Sequence, residues 1–351
     1  MADIKKNHFN IVISTDDNYI QHAMAMLCSL FETNKEHRFS IHVVQKGLSN
    51  QGKEYLSTLA KRYGSDCAFY EADESGLQNV QFRKKNPLTK AAYYRLILAS
   101  TLSDEVKRVL YLDCDMIIMG DVSELFLFDI SNYALAACED EFPYSYQHRV
   151  QLSMDVMERV FNSGMMLINL EYWRNHDSEQ ALLKYANSYR KEVYLHDQDV
   201  LNYVFKGKWF QLAPKWNRSA FSRHHVAREY YKSFDYIEYM YKPMVLHFCS
   251  SELKPWFKGP SPYKAEYKKY AYLSGYPNVT FQDKGFKGFV TSAKYVIGNV
   301  VSTYIWPIMP YIIKILIYDI ADILMALKII IFNKGRGLKE FLLLRRYRRD
   351  L

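Results

Sequence analysis

Two carboxylates separated by one residue follow an apolar run about a third of the way along the chain. Residues 109–112 read Val-Leu-Tyr-Leu, and Asp113, Cys114 and Asp115 come next. Two acidic side chains at this spacing can hold one divalent cation in a bent loop, and a diphosphate can complete the coordination. The same pattern occurs in surface turns without a metal. The motif therefore indicates either a metal site or a surface turn.

A histidine and a lysine further along the chain can serve the same chemistry. His247 ends an apolar run, and Lys254 opens the segment Lys-Pro-Trp. Imidazole suits manganese when carboxylates supply the other ligands. A lysine beside a metal-bound diphosphate can neutralise charge that develops on a leaving phosphate. A lone histidine is more often structural, so neither residue identifies a site by itself.

Two further polar clusters stand where turns are expected. Asp197 and Gln198 lie at the expected start of a helix, where Asp197 can cap the helix or face a reacting carbon. Asp16 and Asn18 follow the first apolar run, where a carboxylate can accept a base N–H or cap the next helix. Both interpretations stay open for each cluster.

Alternating apolar and amphipathic segments must position these side chains. The predicted strands are residues 9–14, 38–44, 67–70, 109–112, 134–138, 165–170 and 245–248. The predicted helices are residues 20–31, 51–63, 89–100 and 199–205. The β-α-β-α-β order predicts an α/β fold with a mostly parallel central sheet covered by helices. Ligands of such sheets bind beyond the carboxyl ends of the strands, where both acidic loops stand.

Composition excludes several classes of protein. The chain has 351 residues, 49% hydrophobic and 16% aromatic, which excludes a disordered or collagen-like protein. Five cysteines without a Cys-x-x-Cys pair exclude a disulfide framework and a cysteine-rich zinc site. These features, with no apolar signal-peptide core near the N-terminus, predict a cytoplasmic protein with reduced thiols.

The basic character of the chain belongs to its C-terminal region. Residues 289–351 contain ten Lys or Arg and four Asp or Glu, a net charge of +6 out of +8 for the whole chain. Residues 312–332 are apolar with their charges on one side, which predicts a helix lying in a membrane interface, with basic residues 345–349 against anionic headgroups. The alternatives are a membrane span, for which residues 295–313 have nearly the length, and a buried or partner-binding helix. We therefore predict a catalytic domain over 1–288, a membrane-associating region over 289–351, and no nucleic-acid partner.

Taken in order, the motifs resemble glycosyltransferase family 8, and within it the bacterial lipopolysaccharide and lipooligosaccharide α-galactosyl- and α-glucosyltransferases. The resemblance covers roughly residues 8–258. It rests on residues 11–19 (IVISTDDNY), 94–96 (YRL), 109–115 (VLYLDCD), 161–170 (FNSGMMLINL), 173–174 (WR), 196–202 (HDQDVLN) and 247–256 (HFCSSELKPW). It implies a GT-A type nucleotide-sugar-binding fold, UDP-galactose or UDP-glucose as donor, Mn²⁺ or Mg²⁺, and retention of the anomeric configuration.

The resemblance also implies roles for individual residues. The implied metal ligands are Asp113, Asp115 and His247. The implied uracil and ribose contacts are Asp16, Asn18 and the backbone around Ser14 and Thr15. The other implied donor contacts are Arg95, Cys114, Asn162, Ser250, Lys254 at the diphosphate, Asp197 at the sugar hydroxyls, Gln198 beneath the anomeric carbon, and Asp140 at one of the sugars.

Two positions depart from the family pattern. Ser250 stands where the family usually has a glycine, and Lys254 comes one residue later than usual. The loop after His247 must therefore differ locally from that of the family.

The implied function is transfer of galactose or glucose to a glycan or glycolipid, such as a lipopolysaccharide, at the inner face of the cytoplasmic membrane. A neutral, delocalised amide such as that of Gln198 is a poor nucleophile, so we favour attack on the same face as the leaving group. Two alternatives remain: a protein- or self-glycosylating transferase of the same fold, and an inactive membrane-anchored protein that binds sugar nucleotides.

Overall fold

Ten strands in two sheets make up the framework of the described residues. The structure is a computed structural model, and it describes residues 8–80, 90–141, 148–149, 152–155, 158–188, 195–222, 233–250, 253–301, 305 and 308. The strands are β1 (His8–Ser14), β2 (Arg38–Gln45), β3 (Asp66–Glu71), β4 (Arg108–Leu112), β5 (Met116–Ile118), β6 (Leu135–Glu139), β7 (Phe161–Asn169), β8 (Trp209–Leu212), β9 (Arg218–Ser219) and β10 (Val245–His247).

Helices cover these sheets. They are α1 (Ile20–Thr33), α2 (Asn50–Arg62), α3 (Leu98–Thr101), α4 (Leu170–Asn175), α5 (Ser178–Ser188), α6 (Asp197–Val204), α7 (Ser233–Tyr241), α8 (Lys264–Leu273) and α9 (Gly285–Val300). Short 3-10 helices lie at Glu74–Leu77, Lys90–Ile97, Ser123–Leu127 and Pro214–Asn217.

The large sheet has the strand order β3-β2-β1-β4-β7-β6-β8. Every strand of it runs in one direction except β7, which is antiparallel to both β4 and β6. The prediction of an α/β fold with a mostly parallel central sheet is confirmed. The carboxyl ends of β1 and β4 are neighbours, so the loops after Ser14 and Leu112 meet at one edge of the sheet.

Alternating side chains of the central strands enter two cores, one on each face of the sheet. Ile11, Ile13 and Leu110 pack in one core, while Val12 and Tyr111 pack in the other. Burial on both faces explains why these strands are continuously apolar, as parallel strands under helices usually are. The sequence signal for β1 and β4 is therefore strong, and both strands are found within one residue of the predicted bounds.

The second sheet is small and has the strand order β5-β10-β9. β5 begins at Met116, directly after the Asp113–Asp115 segment, and pairs antiparallel with β10 so that His247 faces Met116. The backbone N–H of Phe248 donates to the carbonyl of Asp115 at 2.9 Å. This pairing brings residues far apart in the sequence to the edge where β4 ends.

Three predictions of secondary structure need correction. The predicted helix at 89–100 is a 3-10 helix over Lys90–Ile97 followed by the short α3, and residue 89 lies outside the described residues. The strand predicted at 165–170 starts earlier, at Phe161, and Leu170 already begins α4, because Asn169 caps that helix through the N–H of Tyr172. The strand predicted at 245–248 belongs to the second sheet.

The predicted interfacial helix at 312–332 and the basic residues 345–349 lie outside the described residues. Within the part of the chain that the structure describes, no helix has the length and apolar character needed to cross a bilayer. Helix α9 runs across residue 288, where the domain boundary was predicted.

Candidate active site

Asp113 and Asp115 lie in the turn that joins β4 to β5. The N–H of Asp113 donates to the carbonyl of Gly164 on β7 at 2.8 Å, which fixes the turn against the neighbouring strand. The thiol of Cys114 donates to the carbonyl of Ser14 at 3.4 Å, which ties the turn to the end of β1. Both carboxylates are thereby held at the carboxyl edge of the sheet.

His247 joins these two carboxylates in a group of metal-ligand type. One ligand atom from each of Asp113, Asp115 and His247 lies within 4.8 Å of the others. His247 Nε2 is 3.3 Å from Asp115 Oδ1 and 3.9 Å from Asp113 Oδ2. Atoms at these separations can share one divalent cation. The three ligands implied by the family resemblance are therefore gathered in one place, from β10 and the β4–β5 turn.

Asn217 sets the orientation of the imidazole. Its Oδ1 atom is 3.0 Å from His247 Nδ1, which assigns the proton to Nδ1 and leaves the Nε2 lone pair facing the carboxylates. Asn217 Nδ2 donates to Asn162 Oδ1 at 2.9 Å, and that oxygen also accepts the N–H of Gly164 at 3.0 Å. Asn162, an implied donor contact, thus takes part in holding the histidine.

Gly164 leaves the space next to the three ligands open. A Cβ atom at this position would lie 2.4 Å from His247 Cε1 and 2.8 Å from Asp113 Oδ2. Carbon and oxygen atoms that are not bonded cannot approach so closely, so any side chain here would displace two of the three ligands.

The ammonium of Lys254 lies at the same site. It forms an ion pair with Asp115 Oδ2 and donates to the carbonyl of Phe248 at 2.6 Å. Burial would raise the pKa of Asp115, but the neighbouring Lys254 ammonium holds it well below its usual range. Burial would lower the pKa of Lys254, but the Asp115 carboxylate raises it. Both groups are therefore ionised at neutral pH.

An aromatic stack supports the loop that carries Lys254. The ring of Trp256 stacks on His22 of α1 with centroids 3.6 Å apart, and Lys254 Nζ lies 5.4 Å from the centre of a Trp256 ring. His22 Nδ1 is 2.7 Å from the hydroxyl of Tyr267. Burial, together with the nearby lysine, lowers the pKa of His22 to about 3, so its ring is neutral at pH 7.

Arg95 is a buried guanidinium that links two carboxylates. Its Nη2 donates to Asp113 Oδ1 at 2.8 Å, and its Nε lies 3.1 Å from Asp197 Oδ2. Nη1 donates to the carbonyl of Ser163 at 2.8 Å, and the guanidinium lies 4.4 Å from the centre of the Tyr111 ring. Arg95 therefore couples the metal-ligand group to the start of α6.

Gln198 is held from both ends of its amide. Its Nε2 donates to Asp140 Oδ2 at 2.8 Å, and its Oε1 accepts the N–H of Ser163 at 3.0 Å. The neighbouring Asp197 accepts the Ser163 hydroxyl at 3.1 Å. Asp197 and Gln198 are the first residues of α6 and are buried. The amide of Gln198 is thus fixed in one orientation by Asp140 and the backbone of β7.

The residues after β1 form a tight turn beside these groups. Asp16 Oδ1 accepts the N–H groups of Asn18 and Tyr19 at 3.0 and 3.1 Å, which closes the turn between β1 and α1. Thr15 is buried, and Asn18 is exposed. The N-cap residue of α1 is Tyr19, and no side chain caps the helix, so Asp16 stabilises the turn before the helix and does not cap it. Ser250 is half-buried, three residues after His247.

The roles of two residues in the site were not predicted from the sequence. Asn217 orients His247 from thirty positions away in the chain, and only the three-dimensional pairing of β9 with β10 reveals it. Ser163 was included within the segment 161–170, but its backbone and hydroxyl contacts with Gln198 and Asp197 were not predicted. Its position next to a glycine in an otherwise apolar strand is the signal that could have pointed to it.

Removing the Asn217 side chain should weaken metal binding without unfolding the protein. We expect Asn217→Ala to reduce the affinity for Mn²⁺ by about 10–100-fold, since residues that orient a ligating histidine contribute on that scale. Isothermal titration calorimetry with Mn²⁺ measures this affinity. Asn187→Ala is a matched control, because the Asn187 amide donates to the carbonyl of Gly76 in the 3-10 helix Glu74–Leu77 and to that of Leu183 in α5, away from the site. Equal Mn²⁺ affinity in the two variants would contradict the orienting role.

Asp197 should make the metal-free protein less stable as the pH rises. Burial raises the pKa of Asp197 from 3.8 to about 6, with Arg95 opposing and Asp113 adding to the shift. The native state therefore binds the proton more tightly than the unfolded state between these values. The stabilisation is complete below about pH 4 and is lost as the pH rises through about 6, a change of about 3 kcal/mol.

Urea denaturation of the wild type and Asp197→Asn in the presence of a chelator tests this dependence. The stability of the wild type relative to the variant should fall between pH 4.5 and pH 7. Asp104→Asn alters a 92% exposed carboxylate and serves as control. Parallel pH curves for the wild type and Asp197→Asn would show that the prediction is wrong.

Comparison with known proteins agrees with the fold and with the family resemblance of the sequence. The sequence profile of glycosyl transferase family 8 matches residues 10–259. General stress protein A of Bacillus subtilis is 32% identical over 275 residues, covering 76% of this chain and 94% of that protein. A lipopolysaccharide 1,2-glucosyltransferase of Escherichia coli is 27% identical over 315 residues, covering 83% of this chain and 91% of that protein.

Among solved structures, the chain is similar to that of galactosyltransferase LgtC in complex with donor and acceptor sugar analogs. The TM-score is 0.66 at 23% identity, over 76% of this chain and 95% of that one. This likeness shows a GT-A-like fold. The chain belongs to glycosyl transferase family 8, and the family resemblance found in the sequence is confirmed.

Proposed function

We propose that the protein is a metal-dependent, retaining hexosyltransferase. It transfers galactose or glucose from a UDP-sugar to a glycan or glycolipid acceptor, such as a lipopolysaccharide. The observation that carries the proposal is the convergence of Asp113, Asp115 and His247 within 4.8 Å at the carboxyl edge of the sheet. Membership of glycosyl transferase family 8 supports the same class of reaction.

The ligand set fits a manganese or magnesium ion. Two carboxylates and one neutral imidazole nitrogen suit Mn²⁺ in particular, and Mg²⁺ accepts the carboxylates. Gly164 keeps the space beside Asp113 and His247 free of side-chain atoms. When bound, the metal ion supplies positive charge that neutralises the diphosphate of the donor.

The other residues at this edge of the sheet serve the donor. Lys254 adds a second positive charge for the phosphate that leaves with UDP. The turn at Ser14, Thr15, Asp16 and Asn18 is the proposed binding site for uracil and ribose. The Asp197 carboxylate accepts hydrogen bonds from sugar hydroxyls and is itself held by Arg95 and Ser163.

Gln198 is proposed to lie beneath the anomeric carbon. Asp140 and the N–H of Ser163 fix the orientation of its amide, so the side chain needs no reorganisation during the reaction. Because the amide is a weak nucleophile, the acceptor hydroxyl attacks from the face that UDP leaves, and the leaving phosphate takes the hydroxyl proton. Detection of a covalent sugar adduct on the protein by mass spectrometry would contradict this mechanism.

A donor panel tests the function. UDP release is measured with UDP-galactose, UDP-glucose and other UDP-sugars, in the presence of Mn²⁺ and without acceptor. We expect slow hydrolysis of UDP-galactose or UDP-glucose that stops when a chelator is added. If no UDP-sugar is bound or hydrolysed, the proposed function is wrong.

We also propose that the C-terminal region attaches the enzyme to the inner face of the cytoplasmic membrane. Helix α9 packs on the protein through the buried Ser292 and Tyr295 and turns an apolar face away from it. The apolar side chains on that outer face are exposed: Phe286 by 82%, Phe289 by 55%, Ile297 by 62% and Val300 by 49%. Exposed apolar side chains opposite the packed side, in a region of positive charge, suit an anionic bilayer surface.

Vesicle binding tests the attachment. We expect the double variant Phe286→Ser, Phe289→Ser to partition at least about tenfold less onto vesicles that contain phosphatidylglycerol, since each phenylalanine loses its transfer into the bilayer interface. Sedimentation with vesicles measures the bound fraction. Leu127→Ser removes another exposed apolar side chain, 84% exposed and far from α9 in sequence, and is the control. Equal binding of wild type and double variant would show that α9 is not the attachment surface.

A further inference from the structure

A buried arginine on β9 has no charged partner among the residues that the structure describes. The side chain of Arg218 belongs to a residue that is only 3% exposed. Its Nε and Nη1 atoms are buried and have no hydrogen-bond partner in the part of the chain that the structure describes. Its Nη2 donates to the sulfur of Met240, a weak acceptor, at 3.7 Å. No carboxylate among the described residues forms an ion pair with Arg218.

Two tyrosine rings surround this guanidinium. Its central carbon lies 4.9 Å from the ring centre of Tyr263 and 5.7 Å from that of Tyr239. Cation–π contacts of this kind stabilise a buried cation, but they leave the N–H groups at the edge of the guanidinium without acceptors. A buried charge without a hydrogen-bonding partner is unfavourable. The arrangement is therefore that of a binding position for an oxyanion.

Glu141 contacts one of these tyrosines but forms no ion pair with Arg218 among the described residues. The hydroxyl of Tyr239 donates to Glu141, which is buried. Burial raises the pKa of Glu141, which favours its neutral form. Arg218 and Glu141 thus contact the same tyrosine without forming an ion pair.

Arg218 stands beside the metal-ligand group but outside it. Its chain neighbour Asn217 holds His247, while Tyr239 connects Arg218 to Glu141, the chain neighbour of Asp140. The proposed charges for the donor diphosphate are the metal ion and Lys254, and Arg218 makes no contact with Lys254 in this structure.

The β9 segment also lies against the helix proposed to face the membrane. Phe221, three residues after Arg218, packs edge to face on Tyr295 of α9 with ring centroids 5.7 Å apart. A phosphate that joins a glycan to a lipid lies at the membrane surface, on the side of the enzyme where α9 lies.

We propose that Arg218 binds a phosphate group carried by the acceptor, so that the acceptor class is a phosphorylated glycan. This inference rests on the proposed function, because it assigns a substrate to the same enzyme. The planar fork of N–H donors in arginine matches the oxygens of a phosphate, and the cage formed by Tyr239 and Tyr263 excludes water from the contact.

Thermal unfolding of the full chain in the presence of a chelator tests the inference. The probes are glucose 1-phosphate, galactose 1-phosphate, inorganic phosphate and the two free sugars. We expect at least one sugar phosphate to raise the Tm of the wild type by a few degrees at saturation, and to do so at lower concentration than inorganic phosphate. The free sugars should leave Tm unchanged, and Arg218→Gln should abolish the response to sugar phosphate.

Two further variants make the result decisive. Arg218→Lys keeps the positive charge but loses the planar fork of N–H donors. It should fold even if Arg218→Gln does not. Its Tm should respond at a several-fold higher concentration of sugar phosphate than that of the wild type. Lys215→Gln is the matched control, since Lys215 lies three residues away and is paired with Glu238 at 3.1 Å. It should respond like the wild type.

Several outcomes would overturn the inference. These are no response of the wild type to a sugar phosphate, an equal response in Arg218→Gln, and equal responses to sugar phosphate and inorganic phosphate. The last would mean that the position takes a bare ion only. Failure of the proposed function is a separate result, because it appears as absence of UDP release from the wild type in the donor panel.

Discussion

Replacing both Asp113 and Asp115 by asparagine is expected to lower manganese-dependent UDP release by a factor on the order of a thousand. Asparagine keeps the shape of each side chain but removes the charge that binds the cation. Loss of metal-derived charge stabilisation raises the barrier by about 4 kcal/mol, which corresponds to that factor. The measurement is UDP release from the hydrolysed donor, with Mn²⁺ titrated from zero to saturation.

The control for this double variant is Asp17→Asn. Asp17 is exposed on the loop after β1 and accepts hydrogen bonds from the backbone and hydroxyl of Ser49. Asp17→Asn should therefore retain the wild-type response to Mn²⁺.

Because Arg95 and Lys254 lose charged partners in the double variant, the Tm of the double variant must be measured alongside its activity. A folded double variant that Mn²⁺ still stimulates fully would exclude these carboxylates as the metal ligands.

Gly164→Ala is expected to reduce activity at least about a hundredfold while the protein remains folded. The new methyl group would lie 2.4 Å from His247 Cε1, so the imidazole must shift away from the two carboxylates. Displacement of a catalytic group by about 1 Å costs on the order of a hundredfold in rate. Higher Mn²⁺ concentrations should restore part of the activity, because the shift weakens metal binding. Steady-state kinetics at several Mn²⁺ concentrations measure both effects.

Gly76→Ala provides the comparison for this variant. A Cβ atom there would meet the end of the Leu183 side chain at 2.9 Å, which a change of rotamer relieves. Gly76→Ala therefore adds the same methyl group outside the candidate site, at a position where the neighbouring side chain can move. Wild-type activity and metal dependence in Gly164→Ala would show that the His247 position does not matter for catalysis.

Much of the large sheet could be predicted because its strands and helices carry strong local patterns. β1 and β4 are apolar on both faces, and α1 and α2 have apolar residues at helical spacing, so their ends were found within a few residues. The direction of β7 could not be predicted, since its apolar run is the same in either orientation. The second sheet was missed because strands of two or three residues show no periodicity.

Some residues of the candidate site could likewise be predicted from the sequence, and others could not. The Asp113–Asp115 pair could be predicted because it directly follows a buried strand. His247 was ambiguous alone, and its place beside Asp115 depends on the pairing of β10 with β5. The bridge that Arg95 makes between Asp113 and Asp197 joins three separate segments, and no local spacing encodes such a contact.

The ion pair between Lys254 and Asp115 bears on the order in which substrates bind. In the absence of metal, the carboxylate already has a counterion, so an arriving Mn²⁺ competes with an ammonium group on the same residue. Once displaced, that ammonium needs an anion, and a nucleotide diphosphate provides one. Metal and nucleotide should therefore bind cooperatively. By thermodynamic linkage, UDP should tighten the binding of Mn²⁺ by the same factor as Mn²⁺ tightens the binding of UDP.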